Sequence, residues 1–220
     1  AHNKCIIFCK VNLIYINEMS RKLKSIEFFG LSGSGKSYIA SILKKNLEKK
    51  GFTVFNAREC VTKGSKDYIK TSLIEKIALN YFKLINLKNL KKKNIKNLQK
   101  RSNFLQNKNI NANYFKIIYI EICKRISKKN RKFNIVIKQL EKIFSTSTRK
   151  ETQYLFWFYE LIASHIIFKK IFKSSKYILL LDEGLIQRSF IINNRISTKQ
   201  RNKFLNLYFS RLPISKLIFY

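Results

Sequence analysis

The stretch Gly30-Leu31-Ser32-Gly33-Ser34-Gly35-Lys36-Ser37 constrains this chain more tightly than any other. Three of the six glycines sit there, in the pattern G-x-x-x-x-G-K-[ST] with no mismatch. Upstream, Ser25-Ile26-Glu27-Phe28-Phe29 reads as a short strand that stops at Gly30. Downstream, Ile39, Ile42, Leu43 and Leu47 share one helical face, and Gly51 is placed to end that helix. Strand, glycine loop, helix is the context a phosphate-binding loop requires. Glycines let backbone N–H groups crowd around phosphate oxygens where a Cβ would clash, and the helix N-terminus favours negative charge. A nucleoside triphosphate is therefore the expected ligand, held by Gly30, Ser32, Gly33, Ser34, Gly35, Lys36 and Ser37. Lys36 is expected to reach the β- and γ-phosphates as an exposed point charge whose removal spares the fold, and the Ser37 hydroxyl to ligate Mg²⁺.

A chain of 220 residues predicts one domain with room for an inserted subdomain, and an apolar share of 45% is enough for a core. The single proline argues against long disordered linkers. A formal charge of +34 would draw phosphates, nucleic acid or anionic membranes non-specifically. The cations are mostly lysine, spread along the chain among Asn and Ile. That reads as compositional bias, so no specific nucleic-acid partner is expected. Cys5, Cys9, Cys60 and Cys123 form no C-x-x-C pair and have no histidines at ligand spacing. No zinc site is expected, and scattered thiols fit a reducing cytoplasm. No membrane span is expected either: the apolar run 5–16 carries Lys10 and Asn12, and the run 154–168 holds Glu160 and His165.

Residues 1–18 precede Met19, the single methionine, which stands where a natural start would; the run 6–16 reads alternatively as an extra edge strand. No function is placed there. After the loop helix, residues 52–55 are β-prone and long enough for a second strand. Arg58 and Glu59 follow it, where ligands bind in open α/β sheets, and are candidates to meet a second substrate. The pattern then turns helical. Leu73, Ile74, Ile77, Ala78, Tyr81, Phe82 and Ile85 repeat at helical spacing, as do Ile118, Ile122 and Ile126; residues 135–144 predict another helix. Residues 154–172 are apolar nearly all round, as suits a helix buried against a sheet. Within it Trp157, Phe158 and Tyr159 read as core, and His165 as a hydrogen-bonded core histidine. Residues 88–101, rich in Lys and Asn, read as an exposed helix or loop, or alternatively as a polybasic contact.

The second chemical motif is Tyr177-Ile178-Leu179-Leu180-Leu181-Asp182-Glu183-Gly184. A continuous apolar run ending in acid is how a buried parallel strand delivers a carboxylate to a nucleotide site. It resembles a Walker B motif, with Asp182 holding the Mg²⁺ shell and Glu183 facing the reacting group as base or hydrogen-bond acceptor. Arg188, on a helix that starts with Ile186 and Phe190, is a candidate contact for an anionic substrate. Residues 202–211 predict a helix with Phe204, Leu205, Tyr208 and Leu212 inward, ended by Pro213 before a last apolar strand at 214–220.

The succession GLSGSGKS, AREC, a helical middle, LLLDEGLIQRS and PISKLIFY resembles P-loop kinases of the nucleoside and nucleotide kinase group, the thymidylate-kinase-like proteins above all. The resemblance covers the loop and strands but not residues 61–174. In that family a T-R-E-P segment after the second strand meets the substrate. Arg58-Glu59 match its centre, and Cys60 replaces the proline. The third strand there ends in Asp-Arg, whereas Asp182-Glu183 stand here, a departure that bears on the acceptor. The resemblance implies an α/β three-layer P-loop fold with a parallel sheet in the order 2-3-1-4. It divides the chain into a P-loop half at 19–60, a helical insertion on the acceptor side at 61–174 and a Walker B half at 175–220. An arginine-bearing lid and a fifth strand would follow Tyr220, so a truncated chain is expected.

The expected activity is Mg²⁺-dependent transfer of the γ-phosphoryl group of ATP to a small acceptor, a nucleotide or nucleoside first, in the cytoplasm. Lys36, Asp182 and Glu183 are its expected catalytic residues, with Glu59 and Glu183 lining the acceptor pocket. The alternatives are a P-loop ATPase coupled to a macromolecular partner, with Glu183 polarising water, and a fragmentary domain without activity.

Overall fold

The computed structural model describes residues 25–31, 33–85, 112–144, 149–193, 195–213, 215 and 217–219. The readings of 1–18 and 88–101 lie outside them. Strand β1 (Ser25–Phe28) enters the glycine loop and leaves it as helix α1 (Lys36–Lys49). Gly51, at φ 83, ends that helix as expected: its N–H donates to Glu48 O at 3.0 Å and that of Phe52 to Leu47 O at 3.1 Å. This is the double bond of a left-handed C-terminal cap. It turns the chain into β2 (Thr53–Phe55).

Five helices follow among the described residues before the next strand, the first four being α2 (Ala57–Tyr68), α3 (Leu73–Ile85), α4 (Ala112–Lys129) and α5 (Arg131–Ile143). The long α6 (Arg149–Ile171) then leads into β3 (Tyr177–Leu181), α7 (Leu185–Asn193), α8 (Thr198–Arg211) and β4 (Leu217–Phe219). The expected boundary at 60/61 falls inside α2. The molecule is mixed α/β, mostly helical, around a small sheet.

All the pairings of the sheet are parallel and its order is β2-β3-β1-β4, the order expected above. In this register Glu27 lies beside Leu181, and Phe55 beside Leu179. Alternation along the strands sends their side chains to two faces. Ile26, Phe28, Val54, Ile178 and Leu180 pack with Ala40, Leu43 and Leu47 of α1. Phe55, Leu179 and Leu181 face the larger core under α2, α4 and α6. Each fully buried Leu, Ile or Phe contributes roughly 1.5–3 kcal/mol, so this second core dominates stability.

Helix α6 is its axis and packs on α2, α4, α5 and α7. Gly64 of α2 permits a close approach to α6, because a Cβ there would stand 2.3 Å from Ile167 Cγ2. Phe158 and Tyr159 are core as expected, whereas Trp157 is only partly buried. Leu73, 74% exposed, and Ile74 depart from the expected apolar face of α3; Ala78 is buried as expected, beside Leu79, which the spacing did not include. Leu73 and Ile74 lie in the first turn, where a capping box holds the helix start without help from the core: Ser72 N–H donates to Glu75 Oε2 at 2.8 Å and Glu75 N–H to Ser72 Oγ at 3.3 Å. The side chains of Tyr81, Phe82 and Ile85 lie outside the described residues. No described helix is long and apolar enough to cross a membrane. Cys60 and Cys123 are free, buried thiols, and Cys60 donates to Ser164 O at 3.3 Å.

His165 is buried in α6 as expected, but its Nε2 has no hydrogen-bond partner among the described residues. Burial pulls its pKa from 6.5 down to about 4. Above the higher value both folded and unfolded chains carry a neutral imidazole. As pH falls from 6.5 toward 4 the unfolded chain takes up a proton that the folded chain refuses, so stability drops across that window. The full drop is at most about 3 kcal/mol. Urea unfolding of the parent and of His165→Phe, at about pH 7.5 and about pH 5, should show a smaller acid loss in the variant. Equal losses would remove His165 from the acid sensitivity.

Candidate functional site

The loop between β1 and α1 is shaped by glycines in backbone conformations closed to other residues: φ is 148° at Gly30, 80° at Gly33 and 83° at Gly35. Gly35 is the N-cap of α1, so the first amides of the helix open toward the loop. Ser34 N–H donates to Leu31 O at 3.2 Å; Ser32 lies outside the described residues. Lys36 differs from expectation. It is 8% exposed, and its Nζ donates to Gly30 O at 2.9 Å and Leu31 O at 2.6 Å. The lysine therefore ties the loop to its own helix, which an exposed point charge would not do.

The parallel neighbours β1 and β3 end at one edge of the sheet, and their continuations meet there. Ser37 Oγ donates to Asp182 Oδ2 at 3.2 Å, joining the two residues expected to share a metal. Asp182 Oδ1 accepts from Glu183 N–H at 3.1 Å. Glu183 turns away, its Oε2 standing 2.5 Å from Arg188 Nη2, and the Arg188 guanidinium lies 3.8 Å over the Trp157 ring. Burial lowers the Arg188 pKa, opposed by Glu183 and Asp182. The guanidinium expected to meet an anionic substrate is thus bound to protein, although its Nε has no partner among the described residues.

Beside Ser37 and Asp182 opens a cavity of about 300 Å³, whose polar wall includes Ser41, Lys44, Asn56, Arg58 and Glu160. Arg58, a sequence-predicted substrate contact, stands on this wall. Glu59 and Glu183 do not, a correction to the expected pocket. Glu59 is instead the third helical residue of a capping box: its N–H donates to Asn56 Oδ1 at 2.8 Å, and its Oε2 accepts from Asn56 N–H at 3.0 Å. Lys44 Nζ donates to the same carboxylate at 2.8 and 3.0 Å. The carboxylate in the wall is Glu160 of α6. Its Oε1 accepts from Arg58 Nε at 3.0 Å and from Tyr119 O–H at 2.8 Å. Burial lowers the Arg58 pKa but Glu160 more than offsets it, so the guanidinium is held charged.

Below the loop lies a buried carboxylate in β1. Glu27 Oε1 accepts from the amides of Ile186 at 2.7 Å and Gln187 at 3.3 Å, anchoring the start of α7. Among the described residues its Oε2 has no hydrogen-bond partner. Burial raises its pKa, against the lowering pull of those amides. Gln187 Oε1 in turn accepts from Gly30 N–H at 2.9 Å, so the loop's first glycine is tied to the segment after Asp182. Gly184 makes room for this arrangement, since a Cβ there would stand 2.1 Å from Glu27 Cδ.

Glu27, Lys44, Asn56, Glu160 and Gln187 were not among the sequence-predicted site residues. Three left a signal: Glu27 is an acid inside an apolar strand, Glu160 an acid inside an apolar helix, and N-x-x-E at 56–59 is a capping pattern. Lys44 and Gln187 left none. No group of three or more His, Cys, Asp and Glu among the described residues could hold a metal by itself. A Mg²⁺ bound between Ser37 and Asp182 would take further oxygens from phosphate, the usual habit of that ion. Comparison with protein-family models, with curated proteins and with solved structures finds no significant match for this chain.

The Glu27–Gly184 contact predicts a coupled pair. Gly184→Ala should destabilise by roughly 1–3 kcal/mol through overpacking. Shortening Glu27 to alanine in the same chain should recover part of that loss, so the double variant is more stable than the two single losses summed. Additive losses in urea unfolding would show that the two residues do not share the space.

Proposed function

We propose that this chain is an ATP-dependent phosphotransferase of the three-layer P-loop type, acting in the cytoplasm on a small acceptor. The observation that carries the reading is the Ser37–Asp182 contact of 3.2 Å on the wall of a cavity that also holds Arg58 and Glu160. Phosphate chemistry at one end and an open recess carrying polar groups at the other suit a two-substrate transfer. The loop amides around Gly33 and Gly35, with Lys36, would hold the triphosphate, and Ser37 and Asp182 the Mg²⁺. Bound Mg·ATP supplies the transferable phosphoryl group and much of its charge neutralisation. The protein's own residues supply position: the glycines shape the cradle, Lys36 must exchange its loop carbonyls for phosphate oxygens, and Arg188 keeps Glu183 aligned beside Asp182. The helices between β2 and β3 form the acceptor side, since Arg58 and Glu160 come from them.

The hydrolase alternative needs Glu183 to face water. In this structure its carboxylate is paired with Arg188.

Lys36→Ala should weaken Mg·ATP binding at least about tenfold, ~1.4 kcal/mol, in titration calorimetry. Because Lys36 also holds the loop, the same variant should melt at a lower temperature. Equal affinity in variant and parent would remove the phosphate-loop assignment.

The transfer reading is tested by ADP release with and without small acceptors, and it expects slow release without them. Rapid acceptor-free release that falls roughly 10²–10⁴-fold in Glu183→Gln would assign hydrolysis instead.

A further inference from the structure

The cavity beside Ser37 and Asp182 discriminates among acceptor classes. At about 300 Å³ it is at the small end of ligand sites. Its apolar wall is Ala40, Ala57 and Leu180, and among the described residues no aromatic ring lines it. Proteins that hold a nucleobase draw much of their affinity from stacking on such rings.

The cations of the wall already have carboxylate partners. Lys44 Nζ donates to both oxygens of Glu59 at 3.0 and 2.8 Å, and Arg58 Nε donates to Glu160 at 3.0 Å. An acceptor bearing its own phosphate would compete for these cations with the carboxylates already on them. A neutral hydroxyl faces no such competition. Glu160 can accept a hydrogen bond from such a hydroxyl, and Arg58 and Tyr119 orient its carboxyl group through Oε1.

Building on the phosphotransferase reading, we infer that the acceptor is a compact, uncharged, hydroxyl-rich molecule of monosaccharide or polyol type, and that Glu160 holds the hydroxyl to be phosphorylated. In the reaction that hydroxyl oxygen forms a bond to the γ-phosphorus of ATP. The bond from that phosphorus to the β–γ bridging oxygen breaks, its electron pair leaves with ADP, and the hydroxyl proton passes to the Glu160 carboxylate. A nucleotide acceptor, with a base to stack and a phosphate to neutralise, is the poorer fit to this wall.

The test uses the full chain and three sets of probes: neutral hexoses, pentoses and myo-inositol; thymidine and adenosine; and thymidine monophosphate. Each is added with a non-hydrolysable ATP analogue and Mg²⁺ for thermal shift, and with ATP for ADP release. At least one neutral sugar or polyol should raise the melting temperature and drive ADP release. Glu160→Gln should lower kcat/KM for that acceptor about 10–100-fold while keeping the parent's affinity for the ATP analogue. It should also bind thymidine monophosphate more tightly than the parent, because Arg58 loses its counter-charge; loss of a purely structural contact would not do this. If Glu160→Gln does not fold, Ala57→Leu fills the cavity without touching that pair, and should abolish acceptor-driven ADP release with analogue binding retained.

Turnover with thymidine or thymidine monophosphate but with no sugar or polyol would overturn the inference and leave the phosphotransferase reading standing. So would sugar turnover unchanged in Glu160→Gln. Rapid ADP release needing no acceptor would overturn the phosphotransferase reading itself, and this inference with it.

Discussion

The parallel pairing of β1 with β3 is the constraint on which the rest of the molecule depends. Two strands far apart in sequence are held in the register Glu27↔Leu181, so their carboxyl ends open at the same edge. One end continues into the glycine loop and the other into Asp182. Nothing local to either segment could bring Ser37 within 3.2 Å of that carboxylate. The same pairing sets Gly30 against Gln187 and lays Glu27 under Gly184. A slip of one residue would turn every side chain of the strand to the other face. It would put Glu27 among the apolar side chains under α1, where no amide waits for it. The buried acid thus specifies the register as well as anchoring α7.

Charge is handled in the site by pairing before any ligand is involved. The chain carries 46 Lys and Arg against 12 Asp and Glu, yet the cations nearest the loop and cavity each have a partner. Lys36 has two carbonyls, Lys44 has Glu59, Arg58 has Glu160, and Arg188 has Glu183 and the face of Trp157. A buried charge without a partner costs far more than an exposed one, so scarce acids are most valuable where cations are least hydrated. Most of the described lysines away from the cleft are exposed and say little about its chemistry.

The pairings also govern what moves. Lys36 holds two loop carbonyls, so any movement of its ammonium would release the loop from α1. Through the Gly30–Gln187 bond the loop is linked to α7, and through Glu183–Arg188 α7 is linked to the residue after Asp182. The glycine loop and the segment after Asp182 are thus joined by a chain of contacts. The cavity wall on α2 and α6 is held in another way: Gly64 lets those helices meet at a distance no side chain would allow.

What the sequence determined by itself was whatever depends on near neighbours. The glycine loop and its flanking strand and helix, the Gly51 cap and the apolar strand ending in Asp182 all follow from spacing, backbone freedom and period. The exchange at Glu59 belongs there too: N-x-x-E is a local capping signal, and it claims a carboxylate that family resemblance had offered to a substrate. Only the tertiary structure decided which of many polar residues line the cavity. Glu160 stands 102 residues from its partner Arg58, and Gln187 stands 157 from Gly30. No periodicity or motif encodes such a distance. These contacts are chosen by strand register and helix packing, where burial energy summed over the whole core outweighs the preference of any single polar side chain.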